Sequence, residues 1–301
     1  MKILITGGTG FIGRSLCPAL YSAGHSITML SRYPNKVSSI FGDQIQQLNS
    51  VKHLADDAHF DAIINFAGAP IFASRWTDKR KQILLESRVD ITRQLVEFIE
   101  RAATKPAVFL SGSAIGFYGD QGDTLLDESA SVLEQDNFGH QLCAAWEQAA
   151  NKAKEQGVRV CILRTGLVIG KHGGFLQPMI LPFKLGLGAK LGSGTQWMPW
   201  IHMDDYVAIC ETLLNKDELE GVFNLTAPNP ATNNDFTRVL AKQLKRPAFL
   251  TTPAWALNLL LGEMSQLLLG SQRVIPKHLL DSGYQFKYTE LEAALENVLQ
   301  K

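Results

Sequence analysis

The stretch ITGGTGFIG, residues 5–13, follows the apolar run MKIL and leads into a helical pattern, so its glycines sit where a strand turns into a helix. Each glycine has a physical task there. Gly7 permits the tight turn, Gly10 lets the backbone approach a pyrophosphate, and Gly13 lets helix and strand pack closely. Thr9, Phe11 and Ile12 fill the rest of the turn, and the helix N-terminus adds amide donors and positive potential. The segment reads as a cradle for the phosphates of a dinucleotide.

The second strand of such a unit ends at LSRYPNK, residues 30–36. An enzyme using NAD usually places Asp or Glu there for the adenosine ribose hydroxyls, and this stretch has neither. Ser31, Arg32 and Lys36 instead offer donors that suit a 2′-phosphate, which favours NADP over NAD. The bland alternative is that Arg32 stacks on adenine or faces solvent.

Outward from the turn, short β-type runs alternate with helical patterns, the mark of an α/β fold with a parallel, doubly wound Rossmann-type sheet. Strands are expected at 2–6, 26–31, 62–66, 107–111 and 159–164, with a short one near 45–48. Helices are expected at about 12–23, 79–103, 138–156, 204–214, 234–244, 253–269 and 289–299. The division is a dinucleotide-binding unit over 1–165, to which the chain returns at 200–230, a substrate-side lobe over 166–250, and a helical C-terminal domain over 251–301. Between 166 and 199 glycine and proline are frequent and no period holds, which suggests ordered packing over a cleft.

Composition excludes several classes. Lys plus Arg number 29 and Asp plus Glu 29, so no net field draws the chain to nucleic acid or an anionic membrane. Cys17, Cys143, Cys161 and Cys210 are widely spaced, as for reduced, buried thiols of a cytoplasmic protein. The start shows no cleavable signal, and the greasiest stretch, AWALNLLLG at 254–262, is half the length a bilayer span needs and reads as a buried helix. No histidine spacing suggests a metal. The expected partner is a small molecule; a homodimer is compatible with the chain, although no contact surface is legible.

Further landmarks carry a resemblance. INFAG at 64–68, LSGSAIGFYG at 110–119, RTGLVIG at 164–170 and WIHMDD at 200–205 resemble segments of the extended short-chain dehydrogenase/reductase superfamily. RWTDKRKQILLESR at 75–88, LGLGAKLGSGTQWMPWIH at 185–202, TAPNPATNNDFTRVLAKQLKRPAF at 226–249 and LLLGEMSQLLLGSQRVIPKHLLDSGYQF at 259–286 look like one branch, NAD-dependent epimerases with a C-terminal domain of unknown function, some labelled cell-division inhibitors. The resemblance implies that Phe66, Ala67, Gly68, Ser111, Gly112, Arg164, Gly166 and Val168 border the cofactor.

That superfamily works with Ser, Tyr and Lys, the last two four residues apart on one helix face. With Glu147 set at the glutamate that follows the motif, Gly139 and Cys143 stand where Tyr and Lys belong, a shift by one puts Phe138 and Leu142 there, and no register at that helix start restores the pair. The remaining candidates are Ser113, carried over from the resemblance, Tyr118 as a substitute acid, and His140, able to move protons near neutral pH. Arg75, Trp76, Arg88, Trp197 and Trp200 are expected at the substrate side, although sealing of two lobes explains the tryptophans equally well. Three readings follow: an NADP-dependent oxidoreductase or epimerase on an unknown small molecule, a catalytically silent dinucleotide sensor, or an interaction module acting through the C-terminal helices.

Overall fold

The computed structural model describes residues 1–132, 136–171 and 173–300. Five strands, β1 (Lys2–Thr6), β2 (Ser26–Leu30), β3 (Gln46–Leu48), β4 (Ala62–Asn65) and β5 (Val108–Ala114), join Arg159–Thr165 and Gly221–Leu225 in one parallel sheet. From one edge the order is Gly221–Leu225, Arg159–Thr165, β5, β4, β1, β2, β3. The order reverses at β1 and β4, and a crevice opens beyond their carboxyl ends, where open α/β sheets place ligands.

Period-two alternation splits the core between the faces. Ile3, Ile5, Ile64 and Leu110 pack with Leu16 and Leu20 of α1 (Gly13–Ser22) and with Tyr206, Ile209 and Leu213 of the helix Met203–Asn215. Leu4, Ile63, Phe109 and Ile162 turn the other way, onto Leu95, Phe98 and Ile99 of α3 (Asp78–Arg101). A short helix α2 (Pro34–Phe41) follows β2, and α4 (Phe138–Asn151) lies beside α3. The strand Gly221–Leu225 and α2 have no counterpart in the sequence reading, because neither carries a sustained period.

The stretch after Arg164 is more regular than its composition suggests. Leu167–Ile169 pairs with Trp200–His202, Ala189–Leu191 pairs with Leu250–Thr252, and a helix covers Gln177–Lys184, with His172 outside the described residues. Trp200 is wholly buried among Phe236, Leu240 and Leu295, and its Nε1 donates to the Asn229 carbonyl at 3.1 Å. It is therefore a core residue and does not face a substrate.

The expected helix at 253–269 is broken. Ala254–Leu261 ends at Gly262, whose φ of 60° turns the chain, and Gln266–Leu269 forms a separate short helix. Its first part is not buried as expected: only Leu257 is, whereas Trp255, Leu259 and Leu260 are 70%, 69% and 63% exposed. Among the described residues no helix is long and apolar enough to cross a membrane.

The C-terminal segment is tied to the sheet's helices by Asp205. This buried carboxylate accepts the amides of Lys287 at 2.7 Å and Tyr288 at 2.9 Å. Asp205→Ala leaves two amides without their acceptor and is expected to cost about 2–4 kcal/mol in urea unfolding, with Asp205→Asn losing less because one acceptor oxygen remains.

Candidate functional site

The glycine turn is built by backbone contact. Gly7 has φ +71°, and a Cβ there would lie 2.3 Å from the Phe66 carbonyl oxygen. A Cβ on Gly13 would lie 2.4 Å from Cα of Gly8. The turn therefore presses against the segment after β4 on one side and against itself on the other, and no side chain fits at either contact. A buried polar chain fixes the far side: Thr6 Oγ1 donates to Asn65 Oδ1 at 2.6 Å, and Asn65 Nδ2 donates to Thr92 Oγ1 at 2.8 Å. The Ala67 amide donates to Thr6 Oγ1 at 3.1 Å, so Phe66, Ala67 and Gly68 are held over the turn.

The result is a cleft of about 660 Å³ along the sheet's switch point. Gly7, Thr9 and Gly10 line its floor, Ser31, Arg32 and Lys36 its far end, and Phe66, Ala67 and Gly68 its rim. Sequence reasoning missed the opposite wall, where Glu86, Ser87 and Asp90 of α3 face the same space. Ser31 Oγ accepts the Tyr33 amide at 3.1 Å, and the Arg32 guanidinium lies 5.8 Å from the Tyr33 ring centre.

Other expected contacts lie elsewhere. Gly13 and Ile12 start α1, while Phe11 fills the space beside Gly170, Gly173 and Gly174. Ser111 is buried with a hydroxyl that has no hydrogen-bond partner among the described residues, Gly112 lies against the Trp146 ring, Gly166 against the Pro199 carbonyl, and Val168 in the core. Arg88 sits beneath Gly68, donating to the carbonyls of Leu84 and Ala69 at 3.2 Å each, with its guanidinium 5.3 Å from the Trp146 ring centre.

The three catalytic candidates are engaged with the protein. Ser113, 4% exposed, donates to Glu147 Oε1 at 2.6 Å. Arg164 forks onto both oxygens of Glu147 at 2.9 Å and donates to the Tyr118 hydroxyl at 3.0 Å. That hydroxyl donates to Asn224 Oδ1 at 2.8 Å, with the Asp127 carbonyl 3.1 Å away. Tyr118 is wholly buried, and desolvation pushes its phenol above its ordinary value although Arg164 pulls the other way. His140 sets its Nδ1 against the Phe117 carbonyl and its ring beside Phe117. The Glu147–Arg164 pair was not anticipated; its only sequence signal was a lone acid inside an apolar helix face.

Gly139 and Cys143 differ in their surroundings. Burial, reinforced by the Glu147 carboxylate, pushes the Cys143 thiol up to about 11, so it offers no thiolate at neutral pH. Burial likewise raises Cys17 to about 12 and Cys161 to about 11. Gly139 instead faces a second cleft of about 480 Å³, bounded by Trp76, Gly116, Gly119, Asp120 and the segment 258–272. Of the expected substrate residues Trp76 lines it. Arg75 donates to the carbonyls of Leu259 and Leu260 at 2.7 Å each, closing the end of that helix. Trp197 donates to Asp123 Oδ1 at 2.8 Å and stacks under Arg273. Among the described residues no group of His, Cys, Asp and Glu could hold a metal ion.

Comparison with known proteins agrees with this geometry. The profile of the NAD dependent epimerase/dehydratase family matches residues 3–226, and a domain of unknown function, DUF1731, matches 252–298. Epimerase family protein YfhF of Bacillus subtilis is 34% identical over 99% of this chain and 98% of its own length. A chloroplastic epimerase family protein of Arabidopsis thaliana is 36% identical over the whole chain and 87% of its length. Human epimerase family protein SDR39U1, solved with NADPH, superposes with a TM-score of 0.89 at 32% identity, covering 99% of each chain.

Glu147→Gln removes the charge opposite a buried guanidinium, and is expected to destabilise the chain by about 3–5 kcal/mol in denaturant unfolding. Exposed Glu97→Gln on α3, mutated alongside, is expected to change stability by less than about 0.5 kcal/mol.

Proposed function

We propose that this chain, which belongs to the NAD dependent epimerase/dehydratase family, binds NADPH and carries out nicotinamide-dependent oxidoreduction or epimerisation of a small molecule. The observation that carries the cofactor choice is the convergence of Ser31, Arg32 and Lys36 on the cleft floored by Gly7, Thr9 and Gly10, with no acid at the end of β2. First-turn amides of α1 hold the pyrophosphate, and Arg32 with Lys36 takes the 2′-phosphate. The human relative solved with NADPH supports the same choice.

When bound, the nicotinamide supplies a hydride donor or acceptor. The chain's own part is to place the substrate and to move a proton. The second cleft is the place for the substrate, because it starts at Gly139, where the family's tyrosine would stand, and its titratable wall residues are Asp120 and Asp136. Glu147 and Arg164 clamp β5, α4 and the strand Arg159–Thr165 together.

A second reading, a dinucleotide sensor, is favoured by one observation: Gly139 and Cys143 cannot replace a Tyr-Lys pair. Turnover separates the two. NADPH oxidation on a panel of carbonyl compounds supports the enzyme, and tight cofactor binding with none supports the sensor.

For the cofactor itself, fluorescence titration is expected to give at least about tenfold tighter binding of NADPH than NADH, with Arg32→Ala removing most of that preference and leaving NADH affinity nearly unchanged. Equal affinities in the unmodified chain would overturn the NADPH assignment.

A further inference from the structure

From the wall of the second cleft we infer the chemical class of its ligand: a hydroxyl-rich molecule without phosphate, neutral or bearing an amine. The inference rests on the reading of that cleft as the substrate site. Its polar wall includes Asp120, Asp136, Asn137, Asn258, Ser265, Gln266 and Gln272, and among the described residues no Lys or Arg lines it. Two formal negative charges and several amides suit hydroxyl and ammonium groups, whereas a sugar nucleotide would bring a diphosphate against carboxylates with no cation to receive it.

Three neighbouring cations have partners outside this wall, although Nε of Arg273 has no hydrogen-bond partner among the described residues. Arg75 is bound to the carbonyls of Leu259 and Leu260, Lys81 Nζ lies 2.5 Å from Glu263 Oε2, and the Arg273 guanidinium lies over the Trp197 ring at 4.6 Å. The carboxylates are fixed in place. Asp120 Oδ1 accepts the amides of Gly122 at 3.1 Å and Ser271 at 3.2 Å, and Asp136 Oδ1 accepts Gln141 Nε2 at 3.2 Å. Trp76, held edge-to-face on Phe138, adds an indole to the wall, a partner for the C–H face of a sugar ring or for an ammonium. Both clefts carry two carboxylates, Glu86 and Asp90 at the first and Asp120 and Asp136 at the second; among the described residues the first alone adds cations, Arg32 and Lys36.

A matched set of probes tests this. Glucosamine, glucosamine 6-phosphate and UDP-glucose are titrated into NADPH-saturated protein and followed by ligand-observed NMR. Cofactor fluorescence is read in the same samples, so a failure of NADPH binding is seen apart from the sugar result. Glucosamine is expected to bind at least about tenfold more tightly than its 6-phosphate and than UDP-glucose. Asp136→Asn, which alters a side chain whose carboxylate accepts Gln141 Nε2, is expected to weaken glucosamine several-fold without changing NADPH affinity. Tighter binding of either phosphate, absence of glucosamine binding, or indifference to Asp136→Asn overturns the inference.

Discussion

The close approach of backbone to backbone at Gly7 and Gly13 is the constraint on which the rest of the site depends. Any Cβ at Gly7 would overlap the Phe66 carbonyl, and any at Gly13 would overlap Gly8. Because these contacts are made without side chains, α1 starts directly against the carboxyl end of β1 and beside the segment after β4. That is the point where strand order reverses. The Thr6–Asn65–Thr92 hydrogen bonds hold the rim in register with the turn, so the cleft is set by the core and not by a mobile loop.

A different device operates where the family's tyrosine and lysine would stand. Glu147 bridges Ser113 of β5 and Arg164 of the neighbouring strand, and Arg164 passes the link on to Tyr118 and Asn224. Three potential proton carriers are thereby built into structure. What remains open is the space at Gly139, walled by the C-terminal segment through Asn258, Ser265 and Gln266. The domain matched at 252–298 therefore supplies part of the same cleft.

Much of the fold was legible because it rests on periodicity and local sterics. The alternation of Ile3, Leu4 and Ile5, the glycines of the first turn, and the apolar stripe of α3 each have one dominant physical explanation. The cationic end of the first cleft was legible for the same reason, since strand length fixes where Ser31 and Arg32 must fall. What was not legible depends on distant contacts. Trp200 and Arg75 were expected at the substrate side, yet Phe236 and Leu295 enclose Trp200 and the partners of Arg75 are the carbonyls of Leu259 and Leu260. The greasy run at 254–262 looked like a buried helix, yet Trp255, Leu259 and Leu260 face outward, since composition reports hydrophobicity without its covering.

The central claim is that backbone amides at the start of α1, aided by Arg32, cradle a phosphorylated dinucleotide. Amide hydrogen exchange with and without saturating NADPH tests it most directly, because it reads the backbone itself. The account predicts slowed exchange concentrated in residues 7–14, 31–36 and 66–69. Saturation with NADPH that leaves all three segments exchanging as before would contradict it.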